Sequence, residues 1–142
     1  MGQIQMDMID HSVSSKWWKK LIVHFIRPGD DLEIRCWEDE LEEIKQASSY
    51  GTVEKDGYEV SIRGVVKAEL LTELLLDSST DKSIYNKMTK YFTINTQNDL
   101  YKFSSEHYGT EIYIDGVSDD DISFFRRVMG QDIGCFSINI VQ

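Results

Sequence analysis

The segment Glu111-Ile112-Tyr113-Ile114-Asp115-Gly116-Val117 alternates apolar and polar residues before it reaches a glycine, which is typical of a half-buried β-strand. The same pattern, Glu-(Val/Ile)-x-Ile-x-Gly-Val, occurs at residues 59–65. Each copy follows a glycine turn and precedes a predicted helix, and Phe-(Thr/Ser)-Ile-Asn then follows at 92–95 and 136–139. This similarity predicts a duplicated hairpin–helix–strand unit. The alternative is that two amphipathic strands look alike by chance.

Further strands and helices are predicted around these two copies. Residues 20–27 are rich in β-forming residues and predict a central strand, which a turn at Pro28-Gly29 connects to a second strand at 32–37. Ser118 is the predicted N-cap of the last helix. Helices are predicted at 38–47, 66–76, 82–88 and 119–129. We therefore expect an α+β fold in which two to four helices pack on a mostly antiparallel sheet.

The organisation of the chain follows from its length and composition. Residues 1–15 are mixed and polar, and we expect them to form a loose N-terminal segment. Residues 16–142 are expected to form a single α+β domain, because this length is ordinary for one domain and suffices to bury a core. Cys36 and Cys135 belong to no paired motif and are expected to be reduced thiols. We see no secretory signal and no apolar run of membrane-spanning length, so the expected location is the cytoplasm.

The net charge and the absence of motifs exclude several classes of function. The chain has 25 acidic and 15 basic residues, which gives a formal net charge of −10. Nucleic-acid-binding proteins normally present a basic surface, so direct nucleic-acid binding is not expected. The three histidines share no metal-ligand spacing, and no nucleophile motif or glycine-rich phosphate loop occurs. The sequence therefore predicts a non-enzymatic protein without a metal or cofactor.

The negative charge is concentrated in residues 30–43, where Arg35 is the single base. The acids of this segment are Asp30, Asp31, Glu33, Glu38, Asp39, Glu40, Glu42 and Glu43. Dense charge of one sign steers an oppositely charged partner and repels others, so these acids are a candidate docking face for a basic protein. The alternative is a solvated helix surface whose acids match the positive end of the helix dipole.

Three tryptophans lie in or near the acidic segment. Trp37 is inside it, and Trp17 and Trp18 come shortly before it. Exposed tryptophan is a typical interface anchor, so all three residues are included in the candidate docking face. Two adjacent residues rarely both face one core, and we expect one of Trp17 and Trp18 to face outward. Packing of the tryptophans in the core is the alternative.

The function that these features favour is neutralisation of a basic protein partner. In size and charge the chain is similar to bacterial immunity proteins and nuclease inhibitors, whose targets are basic because they hold RNA or DNA. This similarity predicts a toxin domain as the partner, with no membrane involved. The alternatives are a structural or regulatory interaction module in a larger assembly, or a small enzyme whose site combines scattered residues.

Overall fold

The computed structural model describes residues 1–77 and 87–142, and these residues form an eight-stranded sheet with four α-helices packed on it. Every strand pair in the sheet is antiparallel, so the predicted α+β fold is confirmed. The strands are β1 (Gly2–Met8), β2 (Asp31–Trp37), β3 (Gly51–Asp56), β4 (Glu59–Val65), β5 (Thr93–Gln97), β6 (Lys102–Glu106), β7 (Glu111–Val117) and β8 (Phe136–Val141). The helices are α1 (Lys16–Phe25), α2 (Leu41–Ala47), α3 (Ala68–Leu76) and α4 (Asp119–Met129). The helix predicted at 82–88 lies largely outside the described residues.

The strand order repeats along the sheet. The order is β3-β4-β2-β5-β6-β7-β1-β8. Each half of the sheet begins with a hairpin. Next to the hairpin lies a strand that precedes it in the sequence, and then the strand that follows the helix of that half. In the first half these are β3–β4, β2 and β5, with α3 preceding β5. In the second half they are β6–β7, β1 and β8, with α4 preceding β8. The two halves therefore share an arrangement that goes beyond the similarity of two short segments.

The two glycines of the repeated segment occupy equivalent places in this arrangement. A Cβ atom at Gly64 would lie 2.1 Å from the carbonyl oxygen of Tyr50. A Cβ atom at Gly116 would lie 2.1 Å from the carbonyl oxygen of Leu100. In each half the backbone just before the hairpin's first strand thus passes too close to the glycine for any larger residue.

Residues 20–27 were expected to form a central strand, and this prediction is wrong, because residues 16–25 form helix α1. The helix contacts both α3 and α4. The buried residues of α1 are Trp17, Trp18, Leu21, Ile22 and Phe25. These positions recur at helical spacing and leave Lys16, Lys20 and Val23 exposed, so the segment has the apolar stripe of an amphipathic helix. The strand prediction followed the β-forming composition and not this period. The predicted Pro28-Gly29 turn is present, but it connects a helix to β2.

The N-terminal residues are also more ordered than the sequence suggested. Residues 2–8, expected within a loose segment, form β1 between β7 and β8. Ile4, Met6 and Met8 are buried against the helices, and the alternating residues Gln3 and Gln5 face the opposite side. The period of two that defines a half-buried strand is therefore present in this segment.

The face of the sheet opposite the core is polar. One row of side chains crosses all eight strands on this face in continuous register. The row consists of Thr52, Arg63, Glu33, Asn95, Ser104, Tyr113, Gln5 and Asn139.

Candidate functional site

Three connections meet at one end of the sheet and line an open cavity of about 600 Å³. They are the turn that follows β2, the turn of the β3–β4 hairpin and the turn of the β6–β7 hairpin. We call the lining of this cavity the acidic–aromatic patch, which consists of Trp37, Glu38, Asp39, Glu40, Tyr58 and Tyr108.

The turn after β2 is held by its own side chains and by the neighbouring hairpin. Glu40 Oε1 accepts a hydrogen bond of 2.7 Å from the backbone N–H of Trp37. The backbone N–H of Glu38 donates to the carbonyl oxygen of Tyr58 at 2.9 Å. The Trp37 ring packs on Phe92 with 4.8 Å between centroids, and 37% of the residue stays exposed. A large aromatic ring is thus presented to solvent from a fixed backbone.

Tyr108 reaches the patch through an unusual backbone turn. His107 and Tyr108 have φ angles of +50° and +60°, in the left-handed region that residues other than glycine rarely adopt. The turn is anchored because the Tyr108 N–H donates to the Phe92 carbonyl at 3.0 Å, and the Tyr108 carbonyl accepts from the Met88 N–H at 2.9 Å. Such strain persists only where surrounding contacts enforce it, and it is common at functional sites.

The carboxylates of the patch differ in the hydrogen bonds and ion pairs that they already form within the chain. Glu40 Oε2 accepts from the Tyr108 hydroxyl at 3.0 Å, so both oxygens of Glu40 have partners. Glu38 pairs with Lys55 at 3.2 Å, in a contact exposed to solvent. Asp39 is exposed, and its carboxylate forms no hydrogen bond or ion pair with the described residues. Burial and then the charge of Glu40 raise the pKa of Tyr108, which keeps its hydroxyl a hydrogen-bond donor.

Two ammonium groups of the chain itself lie at the rim of this cavity. Lys55 Nζ is the partner of Glu38. Lys87 Nζ lies 4.1 Å from the centroid of the Tyr108 ring, which is a cation–π geometry. Both the carboxylate and the aromatic components of the patch therefore already contact a positive charge.

The structure brings together only some of the residues predicted for the docking face. Trp37, Glu38, Asp39 and Glu40 line the cavity. Glu42 is exposed in the first turn of α2 and forms no ion pair with the described residues. Glu43 in the same turn is only partly exposed, and its Oε2 atom is buried without a hydrogen-bond partner among the described residues.

Asp30, Asp31 and Glu33 lie away from the patch, toward the opposite end of β2. Asp30 is buried and accepts hydrogen bonds from the Arg27 N–H at 2.9 Å and from Asn98 Nδ2 at 3.0 Å, so it stabilises the turn before β2. Asp31 is exposed, and with Glu33 it lines a second cavity of about 800 Å³ on the polar face of the sheet.

The Glu33 side chain is committed to structural contacts. Burial alone would raise the pKa of its carboxyl, but hydrogen bonds from Ser61 at 2.7 Å, from Asn95 at 3.1 Å and from Arg35 at 3.0 Å outweigh that effect and lower it. Arg63 also pairs with Glu33 at 3.3 Å. Glu33 therefore stabilises four neighbouring side chains and is not free to dock a partner.

The prediction that Trp17 or Trp18 faces outward is wrong. Trp17 is 4% exposed and packs edge-on against Phe136, with 5.2 Å between ring centroids. Trp18 is fully buried and donates a hydrogen bond of 3.0 Å from Nε1 to Ser105 Oγ. Both residues can be buried because they lie on a helix flanked by two others, so adjacent positions both meet the core.

Sequence reasoning missed the two tyrosines of the patch. Tyr58 is 77% exposed and forms the two-residue turn of the β3–β4 hairpin with Gly57, and Tyr108 directly precedes Gly109. Aromatic residues beside hairpin turns were the only signal available, because the sequence alone does not place two distant turns beside the end of β2.

The described part of the chain offers few other groups of side chains that could form a catalytic or metal site. His24 lies 2.9 Å from Asp121, and His107 contacts Glu111, but neither histidine lines either cavity. Among residues 1–77 and 87–142, no three His, Cys, Asp or Glu side chains are grouped as a metal site would need. None of the described helices has the length and apolar character needed to cross a membrane.

Comparisons of the chain with protein-family models, with curated proteins and with solved structures found no match. Function must therefore be argued from the site and its chemistry.

Proposed function

We propose that this protein is a non-enzymatic binding protein that neutralises a basic protein partner, as a bacterial immunity protein neutralises a toxin such as a nuclease. The observation that carries the proposal is the acidic–aromatic patch, where three carboxylates and three aromatic rings line one cavity. The combination suits a partner whose surface presents lysine or arginine, because the rings and the carboxylates attract the same cation.

The charge of the whole chain supports the same partner. A net charge of −10 creates a field that attracts a basic protein and raises its association rate. Trp37 offers the large aromatic surface that interface hot spots favour. The charge would act during approach, and Trp37 would provide apolar contact once the partner is seated.

The carboxylates of the patch, together with Glu42 in the first turn of α2, fall into two groups with different roles. Glu40 is hydrogen-bonded to Trp37 and Tyr108 and keeps the aromatic rings in place. Asp39 and Glu42 form no ion pair with the described residues, and Glu38 has only a solvent-exposed one. These three acids would therefore meet the cations of the partner. Lys55 and Lys87 mark the positions where such cations would lie.

A nuclease domain fits this chemistry because its active surface is built to hold phosphates. Carboxylates placed at matching positions compete with phosphates for the same arginine and lysine side chains. The protein would inhibit by covering that surface, and no catalytic step of its own is needed.

The test uses charge reversal at the exposed acids. The protein is immobilised and exposed to a lysate of its native host, and any captured protein is assayed for net charge and nuclease activity. The patch variant carries Glu38→Lys and Asp39→Lys within the patch, together with Glu42→Lys in the first turn of α2. The control variant carries Glu69→Lys, Asp99→Lys and Asp120→Lys, three exposed acids elsewhere, and has the same net charge.

We expect the wild type and the control to capture and inhibit a basic partner, with affinity that falls as salt is added. The patch variant should bind at least about tenfold more weakly, mainly through slower association. Equal affinity of the two variants would show that only bulk charge matters, and capture of a neutral or acidic partner would overturn the proposal.

A further inference from the structure

One edge of the sheet lacks the usual protection against pairing with another strand. Strand β8 pairs with β1 along its length and has no strand on its other side within the described chain. Its outward-pointing backbone N–H and C=O groups are therefore open to a further strand. The sequence Phe-Ser-Ile-Asn-Ile-Val of β8 contains no charged residue, no proline and no glycine.

The opposite edge of the sheet is different. Strand β3 ends in Glu54, Lys55 and Asp56, and all three side chains are exposed. Charged residues on an edge strand hinder pairing with another strand because they would have to be desolvated or matched. The two edges of this sheet therefore differ in their capacity to accept a partner strand.

The side chains of β8 also leave apolar surface uncovered. Ile138 and Ile140 face the helix layer but are only partly buried, because no strand lies beyond them. Val141 is 55% exposed, and Ile133 in the turn before β8 is 53% exposed. A strand added at this edge would remove apolar surface from water as well as satisfy the open backbone groups.

We propose that β8 pairs antiparallel with β8 of a second copy of this chain, so that the two sheets join into one across a two-fold axis. A second copy fits because antiparallel pairing of a strand with itself is self-complementary and no residue of β8 is charged. Pairing of β8 with β3 would place charges at the contact and would continue into an open-ended polymer, whereas β8–β8 pairing closes at a dimer.

The dimer leaves the acidic–aromatic patch free. Trp37 lies at the end of β2, and four strands separate β2 from β8. At about 4.8 Å per strand spacing, the two strands are roughly 24 Å apart. The proposal does not depend on the proposed function, and each dimer would present two patches.

The test is the mass of the protein in solution, measured by sedimentation equilibrium over a wide concentration range. We expect a reversible species of twice the 16.5 kDa chain mass. The edge variant carries Ser137→Lys and Asn139→Lys on the exposed face of β8. Two-fold pairing would bring these lysines opposite lysines of the other copy, which should raise the dimer dissociation constant about tenfold.

The matched control places its changes on the other edge. Thr52→Lys with Glu54→Gln alters two exposed residues of β3 and changes the net charge by the same amount. This variant should dimerise like the wild type. A wild type that stays monomeric at millimolar concentration, a mass that grows beyond the dimer, or equal weakening by both variants would each overturn the proposal.

The salt dependence of dimerisation provides a second, independent test. Two copies that each carry a net charge of −10 repel one another, so added salt should leave the dimer unchanged or tighten it. Dissociation of the dimer by salt would show that an ionic contact holds it, which contradicts pairing through β8.

Discussion

His24 Nε2 lies 2.9 Å from Oδ1 of Asp121, and this contact joins helix α1 to helix α4. The His24 ring also stacks on Phe124 of α4, with 3.9 Å between centroids. The same carboxylate accepts hydrogen bonds from the Tyr101 hydroxyl and from the Ser118 backbone N–H, each within 3.0 Å. Asp121 therefore links α1, the start of β6 and the first turn of its own helix.

Replacement of Asp121 by Asn should destabilise the protein by about 1–3 kcal/mol, because buried partners lose a charged acceptor. Burial raises the pKa of Asp121, but hydrogen bonds from Ser118, His24 and Tyr101 outweigh it and hold the pKa below its ordinary value of 3.8. Its stabilising contribution is thus present above that value and is lost as the pH falls through the lower, folded-state pKa.

Urea denaturation at neutral and acidic pH checks this prediction. The difference in unfolding free energy between wild type and Asp121→Asn should shrink below about pH 4. Asp120→Asn changes an exposed neighbour and should have little effect. A difference that grows in acid would contradict the assignment.

Trp37 should account for most of the quenchable tryptophan fluorescence. It is 37% exposed, whereas Trp17 is 4% exposed and Trp18 is fully buried. Acrylamide should therefore quench a minor, accessible fraction of the emission in the wild type and very little in Trp37→Phe. If Trp37→Phe is quenched as strongly as the wild type, the two tryptophans of α1 are not buried as described.

Gly109→Ala should destabilise the protein by about 2 kcal/mol or more. Gly109 has a φ of +84°, and a Cβ atom there would lie 2.7 Å from Met88 Cβ and 2.8 Å from Trp18 Nε1. Thermal or chemical denaturation measures the loss. Gly134→Ala is the control, because no atom lies within 4 Å of its added Cβ, and it should change stability by less than about 0.5 kcal/mol.

The two cysteines should differ in reactivity. Burial, followed by the charges of Glu40 and Glu43, raises the pKa of Cys36 to about 12. The pKa of Cys135 is also raised, by burial and then by the charges of Asp10 and Asp132, but this residue is only partly buried and therefore accessible. A thiol reagent at about pH 8 should label one site per native chain and two per denatured chain. Cys135→Ser should abolish native labelling, and labelling that persists in this variant would show that Cys36 is accessible.

The elements that the sequence predicted well have strong local signals. Helix α4 occupies the predicted residues 119–129, since Ser118 caps it and its side chain accepts from the Asp121 N–H. The β3–β4 hairpin turns at Gly57, whose φ is +65°. Its two loop residues are Gly57 and Tyr58, one position later than the Asp56-Gly57 pair that the sequence predicts, because Asp56 is the last residue of β3 and pairs with Glu59. In both places the determining contacts lie within a few residues of one another.

The features that were missed have two different causes. Helix α1 was predicted as a strand from its β-forming residues, although Trp18, Ile22 and Phe25 recur at helical spacing within the segment itself. The patch could be predicted in part, since four of its residues are consecutive in sequence. Tyr58 and Tyr108 join them only because two hairpin turns end beside β2, which no local pattern indicates.

The place of β1 in the sheet has a consequence for the order of events during synthesis. Both of its partners, β7 and β8, follow residue 110, whereas the four strands of the first half are complete once residue 97 has been made. On the ribosome the first half can fold while β1 is still without partners. An amphipathic strand therefore remains open to chaperones from its own synthesis until β7 and β8 emerge beside it.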